Sequence, residues 1–429
     1  MQYKTFTTAA GEKLNEIYND FSINVTRIYN RPLLHMAIDL AFHSLLYFKF
    51  KEHMLTRGWL DVLILGDTRT GKSECASKLI KHYRMGELIT GENISKAGLI
   101  GGLNVINNRW IIKWGKLPIN DRNLVVLDEV SGMSEELISD LSGIRSSGIA
   151  EIVKIRSDRT YARTRLVWLS NPNSKRGINS YSFPVYAVAD LIKRPEDIAR
   201  FDYAMVLKSD DVPLEVVNIK KTPKTKHIYT TDICQKIVLW AWSRKAHEIK
   251  FTPEAEECVL DVATELGKKY SSEIPLIEPN EIRIKIARIS AAIACRLFST
   301  EDGINLIIKP EHVIVTKNFL EDIYRGMGYD TYSMSRKMVL SGEERQELTT
   351  LIQSKPPELV IGLLDINVIT AQDVADLISC DIPDANLLIS QFVRKNLLKR
   401  YKRGYVKTPA MIKILKEIQE MQPDRFQDI

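Results

Sequence analysis

The stretch LILGDTRTGKSE, residues 63–74, holds Gly66 and Gly71 with four residues between them and follows the second glycine directly with Lys72 and Ser73. Glycines let the backbone N–H groups of such a loop close around phosphates, the lysine reaches the outer phosphates, and the serine hydroxyl can ligate magnesium. Gly66, Asp67, Thr68, Arg69, Thr70, Gly71, Lys72, Ser73 and Glu74 are therefore the candidate binding loop for ATP with Mg2+. A glycine turn beside a surface lysine is the competing reading. The apolar run before the loop and the helical pattern after it favour the phosphate site.

Three further stretches could complete that chemistry. NLVVLDEV delivers Asp128 and Glu129 to the end of an apolar run. There an aspartate can hold magnesium, and a glutamate can orient the water that attacks a γ-phosphate. RLVWLSNPN ends a third run at Asn171, a polar group suited to the same water, although Asn171-Pro172 alone is a turn signal. EDIARFDYAMVL sets Arg200 before a fourth run. In ring-shaped ATPases an arginine so placed reaches the neighbouring subunit's γ-phosphate; otherwise it is a helix-end arginine pairing with Asp197 or Asp202.

The runs DVLIL, LVVLD, RLVWLS and YAMVL are short, aliphatic and separated by helical or loop sequence. That is the pattern of buried parallel strands in an α/β domain, here ending near residue 212. Residues 12–55 read as helical, VPLEVVNIKKTPKTKH as a linker, and 228–325 as mostly helical, with IRIKIARISAAIACRLF the clearest amphipathic piece. RGMGYDTYSMSRK reads as a second linker. Beyond it, Thr370 and Asp384 are expected to cap two helices, and LLKRYKRGYVKTP to close as two short strands around Arg403-Gly404, the order of a winged helix.

With 429 residues, 45% of them hydrophobic and 27% charged, the chain has the composition of a globular protein with two or three domains. A net charge of +6 is mild, so any preference for polyanions must come from where charge is concentrated. Five cysteines without a CxxC pair argue against a disulfide framework and a zinc site. No run is long and apolar enough for a membrane span, and the N-terminus lacks the order of a signal peptide, so a cytoplasmic location is expected.

Taken in order, these motifs resemble the minichromosome maintenance (MCM) branch of the AAA+ ATPases. LILGDTRTGKSE resembles that family's Walker A, ITGENISKAGLIGGL its segment leading into the helix-2 insert, and LVVLDEVSGM its Walker B. YARTRLVWLSNP is similar to its sensor 1 strand and IARFD to its arginine-finger motif. The resemblance implies an AAA+ P-loop core with a parallel sheet at 1–212, a helical lid at 228–330 and a C-terminal winged helix at 340–412. It also implies a sensor 2 arginine, for which Arg283 and Arg288 both qualify. Where the family usually has Pro-Gly-Thr-Ala, this chain has Thr68-Arg69-Thr70-Gly71, and with residues 1–65 before Gly66 no counterpart of the family's N-terminal DNA-binding portions is expected.

The resemblance gives a meaning to KIRSDRTYARTR, residues 154–165, where Lys154, Arg156, Arg159, Arg163 and Arg165 stand against the single acid Asp158. In that family the segment before sensor 1 is a β-hairpin in the ring channel, and Lys154 matches its DNA-contacting lysine. Arg156 and Arg159 would add phosphate contacts, which need charge and not base edges. A solvated hairpin is the bland alternative. RKNLLKRYKRGYVK brings seven more cations, suited to duplex DNA or to a protein contact.

The expected function is an ATP-dependent, ring-forming DNA translocase or helicase for DNA replication, a homo-oligomer, expected to be a hexamer, around single-stranded DNA. The rival readings are a protein-remodelling AAA+ ATPase of the chelatase or MoxR-like kind, and a replication initiator that uses ATP as a switch.

Overall fold

The aliphatic runs form one parallel sheet. Its strands are β1 (Asp61–Gly66), β2 (Glu87–Thr90), β5 (Leu124–Asp128), β8 (Arg165–Ser170) and β9 (Tyr203–Leu207), lying side by side in the order β9-β1-β8-β5-β2. β1, β8 and β9 are buried along their whole length, as a sheet covered on both faces requires. β2 has no counterpart among the expected strands. It is an edge strand, and ELIT alternates between half-buried and exposed positions instead of forming an apolar run.

This computed structural model describes residues 3–92, 94–155, 157–173, 177–217, 225–337 and most of 349–418. Two antiparallel hairpins interrupt the sheet's connections. β3 (Gly101–Ile106) pairs with β4 (Arg109–Trp114), and β6 (Ile149–Val153) with β7 (Ser157–Tyr161). Asn107 and Asn108 both take φ near +50°, the turn conformation that a two-residue hairpin needs.

Helix α1 (Ala9–Asp20) is capped by the Thr8 hydroxyl, which accepts from Gly11 N, and α2 (Pro32–His43) starts on a proline. The helical expectation for 12–55 fails at its end. Phe48–Phe50 and His53–Leu55 form a short hairpin in which Phe48 and Phe50 are buried against Phe251. Helix α3 (Lys72–Tyr83) follows the glycine loop, α4 (Ser142–Ser147) runs into the β6–β7 hairpin, and α5 (Pro195–Ala199) precedes β9.

Helices α6 (Thr231–Ser243), α7 (Pro253–Tyr270), α8 (Ile282–Arg296) and α9 (Pro310–Gly326) belong to the same compact unit as the sheet, Met1–Tyr329. Arg296 of α8 and Asp39 of α2 form a fully buried ion pair at 2.7 Å, and Tyr18 and Tyr83 donate to the same carboxylate. The linker expected at 325–337 is instead helical, running to Gly326 and again over Tyr329–Lys337. Met327 and Gly328 break it, the glycine at φ +67°, while Tyr329 is buried in a stack on Tyr270.

The second unit, Asp330–Ile429, has a core of Leu359, Leu363, Val374, Leu388, Phe392 and Met411, among others. Helices α10 (Pro357–Asp365), α11 (Ala371–Ile378) and α12 (Ile382–Arg394) lead into a hairpin of β10 (Leu398–Tyr401) and β11 (Gly404–Lys407). Its turn residue Arg403 lies outside the described residues. Thr370 caps α11 in a reciprocal bond with Asp373. Asp384 does not cap α12; the helix starts earlier, at Asp381, because Pro383 fits its first turn.

Candidate functional site

β1, β8 and β5 are neighbours, so their carboxyl ends open onto one crevice, the usual ligand position in such sheets. Thr68, Arg69, Thr70, Gly71, Lys72, Ser73 and Glu74 line it from one side; Asp128, Glu129, Ser170 and Asn171 line it from the other. The cavity measures about 400 Å³. Gly71 turns the chain into α3 at φ +86°. Gly66 is required for close packing, since a Cβ there would lie 2.9 Å from the Leu207 carbonyl oxygen.

Lys72 is nearly buried and donates to Gly66 O at 2.7 Å, Asp67 O at 3.0 Å, Thr70 Oγ1 at 3.2 Å and Asn171 Oδ1 at 3.1 Å. Burial pushes its ammonium down to about 8, against the opposing pull of Asp128 and Asp67. Asp67 itself is a brace. Its carboxylate accepts from Ile178 N at 2.8 Å and Ser209 N at 3.2 Å, and it does not line the cavity. Glu129 holds φ +56°, a left-handed conformation that is costly for a side-chain-bearing residue and clusters at active sites. The Ser73 hydroxyl and the Asp128 carboxylate are both hard oxygen donors on the lining, a set that suits Mg2+. When bound, that ion would neutralise charge on the phosphates.

A second cavity of about 270 Å³ adjoins the first across Arg69–Gly71 and Glu74. Ile28, Tyr29, Arg31, Val212 and Val216 line it, none of them singled out by motif. Arg31 is fixed by Asp211 at 3.0 Å and the Lys208 carbonyl at 2.8 Å. Ile28, Tyr29 and Arg31 fall within the stretch read as helical, and Val212 and Val216 within the stretch read as a linker.

Arg200 is elsewhere. It sits at the end of α5, pairs with Asp197 at 3.1 Å, and donates to Ser146 Oγ at 3.1 Å and the Glu196 carbonyl at 2.8 Å. With Arg57, Ser146, Glu196, Lys285 and Arg288 it lines a third cavity of about 380 Å³, which shares no lining residue with the Lys72 cavity. Arg288 reaches it while pairing with Asp202 at 2.9 Å. Arg283 does not line it; it is exposed and donates to the Asn280 carbonyl.

Residues 9–212 match the MCM P-loop domain. The chain is MCM-like. It is 26% identical over 318 residues to the minichromosome maintenance protein MCM of Saccharolobus solfataricus, covering 69% of this chain and 43% of that relative. To the DNA replication licensing factor MCM4 of Oryza sativa it is 23% identical over 317 residues, covering 69% of this chain and 36% of the relative. The chain thus spans less than half the length of these relatives.

In this MCM-like chain the basic run before β8 separates into two sets. Arg163 and Arg165 are structural. The first forms a two-pronged bond to Asp121, and the second is fully buried, donating to the Ser44 carbonyl at 2.8 Å and stacking 4.2 Å from the Trp242 ring. Lys154 and Arg159 belong to the β6–β7 hairpin, are exposed, and make no ion pair among the described residues; Arg156 lies outside those residues. Val153 and Ile155 flank Lys154 and are 71% and 76% exposed, an apolar tip that charge counting misses. In the second unit Lys407 donates to the Leu363, Leu364 and Ile366 carbonyls, so that cation closes the end of α10. No helix among the described residues is long and apolar enough to cross a membrane.

Proposed function

We propose that this chain is an ATP-driven, ring-forming DNA translocase or helicase acting in DNA replication, working as a homo-hexamer around single-stranded DNA. Belonging to an ATPase family, it carries a P-loop lined by the residue types that ATP and Mg2+ need. The observation that supports the ring is the separation of Arg200 from that lining, so that on this reading one chain would hold only half of a γ-phosphate site. Lys72, Ser73, Asp128, Glu129 and Asn171 would serve one subunit's nucleotide, and Arg200 would serve its neighbour's. Because Arg288 shares the Arg200 cavity and Arg283 does not, Arg288 is the better sensor 2 candidate. The adjoining cavity at Tyr29 and Val216 would take the nucleoside. Lys154, Arg156 and Arg159 would grip the DNA backbone, and the C-terminal unit would act as a winged helix at 340–412.

ATP hydrolysis measured with and without single-stranded DNA tests this reading. Stimulation by DNA is expected, together with strand displacement on a forked duplex. Stimulation by a protein client and not by DNA would overturn it in favour of remodelling, and ATP binding without strand displacement would favour an initiator.

A further inference from the structure

Helix α4 ends one residue before the β6–β7 hairpin, with Gly148 alone between them at φ +68°. A Cβ on Gly148 would lie 2.5 Å from Arg163 Cγ and 2.7 Å from Trp59 Cη2, and its carbonyl accepts from Ala162 N at 2.7 Å. The hairpin root therefore has little room of its own. A displacement of α4 must pass into the hairpin.

Two consecutive residues of α4 touch the segment that carries Arg200. Ser146 Oγ accepts from Arg200 Nε at 3.1 Å. Arg145, fully buried, donates to Asp61 at the start of β1 at 2.6 Å and lies 3.7 Å from Asp197, the carboxylate that also holds Arg200. Its guanidinium stacks 4.9 Å from Trp168 of β8 and 4.2 Å from Phe201. Both terminal nitrogens of Arg145 donate no hydrogen bond among the described residues. A buried cation with spare donors between two carboxylates has a second pairing available, which is what a two-state element needs.

We propose that α4 is a coupling element, with Ser146 and Arg145 as positioning residues for Arg200. While Arg200 is held by Ser146 and Asp197, the helix and the hairpin root are fixed in one position. When Arg200 extends to a phosphate, Ser146 loses its donor, and Asp197 is released to draw Arg145 and α4 toward it. The nucleotide state at one subunit's arginine side thereby reaches that same subunit's hairpin. This rests on the shared-site reading of Arg200, and it names the route by which the site acts.

The test is hydrogen–deuterium exchange of residues 142–161 in the full chain with ADP and with a non-hydrolysable ATP analogue, alongside the factor by which single-stranded DNA stimulates ATP hydrolysis. In the unaltered protein, exchange in this segment should differ between the two nucleotides. Ser146→Ala, a surface change, should remove most of that difference and shrink the stimulation factor by about fivefold, the lower range of measured site-to-site coupling. Ser146→Thr, which keeps the hydroxyl, should restore both. Arg145→Lys should also weaken the response if the variant folds; Ser146→Ala carries the test if it does not. Exchange that ignores nucleotide in the unaltered protein, or that responds in Ser146→Ala as before, would overturn the coupling. A nucleotide response without any DNA stimulation would leave the coupling standing and defeat the translocase reading.

Discussion

Around Lys72 the chain relies on backbone and small side chains: glycines at 66 and 71, a serine and a threonine, and carbonyl oxygens that accept the lysine. Behind Arg200 it relies on buried ions. Asp202 is fully buried and accepts from Arg57 at 2.8 Å, Arg288 at 2.9 Å and Asp61 N at 2.8 Å, while Arg145 joins Asp61 and Asp197. The first cavity is shaped to receive charge from outside. The second has its charge internally compensated, so that Arg200, on its rim, is the cation with the most freedom to leave. If the loop binds phosphate and Arg200 is delivered to a neighbouring subunit, the two place opposite demands on their surroundings.

The largest effect should come from removing the delivered group. Arg200→Ala is expected to lower ATP hydrolysis by about 10³-fold or more, the range known for arginine fingers. Mixing it with Lys72→Ala subunits should restore activity at interfaces that combine an intact loop with an intact arginine. If no mixture exceeds the sum of its components, the two cavities are not halves of one site.

Next come the buried ions. Asp202→Ala leaves Arg57 and Arg288 without their carboxylate and should cost about 3–5 kcal/mol, as breaking a buried pair from one side does. Asp128→Ala, in the half-buried lining of the phosphate cavity, should stay within about 0.5 kcal/mol. Denaturant unfolding of both variants checks the contrast; equal losses would mean that the two regions are held together in the same way.

This difference in construction also decides what could be read beforehand. Gly66, Gly71, Lys72 and Ser73 stand close together because one loop must turn, approach and donate within a few residues, so the chemistry leaves a local signature. The four apolar strand runs were legible for the same reason. Asp202 and Arg288 are legible singly, but they meet Arg57, Asp61 and Arg145 only through the fold; no spacing announces that cluster, and Arg145 in SGIRSSG looks like a surface residue. The hairpin at 48–55 and the edge strand β2 escaped because their burial is partial and their patterns weak.

A pH series sharpens the comparison through the lysine. Burial holds the Lys72 ammonium at about 8, below its ordinary value, so it is charged below that pH and neutral above it. Phosphate favours the charged form, so nucleotide affinity should be full at pH 7 and about tenfold weaker at pH 9, where about one lysine in ten remains protonated. Lys72→Met should bind weakly at both values without that slope. Calorimetric titration reads it directly: a pH-independent affinity in the unaltered protein would mean that Lys72 keeps its charge to pH 9, and an undiminished affinity in Lys72→Met would remove Lys72 from phosphate contact.

The smallest effect, and the one that bears on what the ATP chemistry moves, concerns the hairpin. Lys154 is exposed and without an ion pair among the described residues, so losing it should not disturb the fold. If it neutralises a DNA phosphate, Lys154→Ala should lower the slope of log affinity against log salt by about 0.7 on single-stranded DNA, the counterions released per contact. The C-terminal unit contributes equally to both proteins, so the difference between their slopes isolates the hairpin. Arg159→Ala should do the same, and a double variant should lose about twice as much, because phosphate contacts release counterions independently. Parallel slopes for all three variants would mean that the hairpin charge is only solvated, and that the apolar tip at Val153 and Ile155 faces something other than DNA.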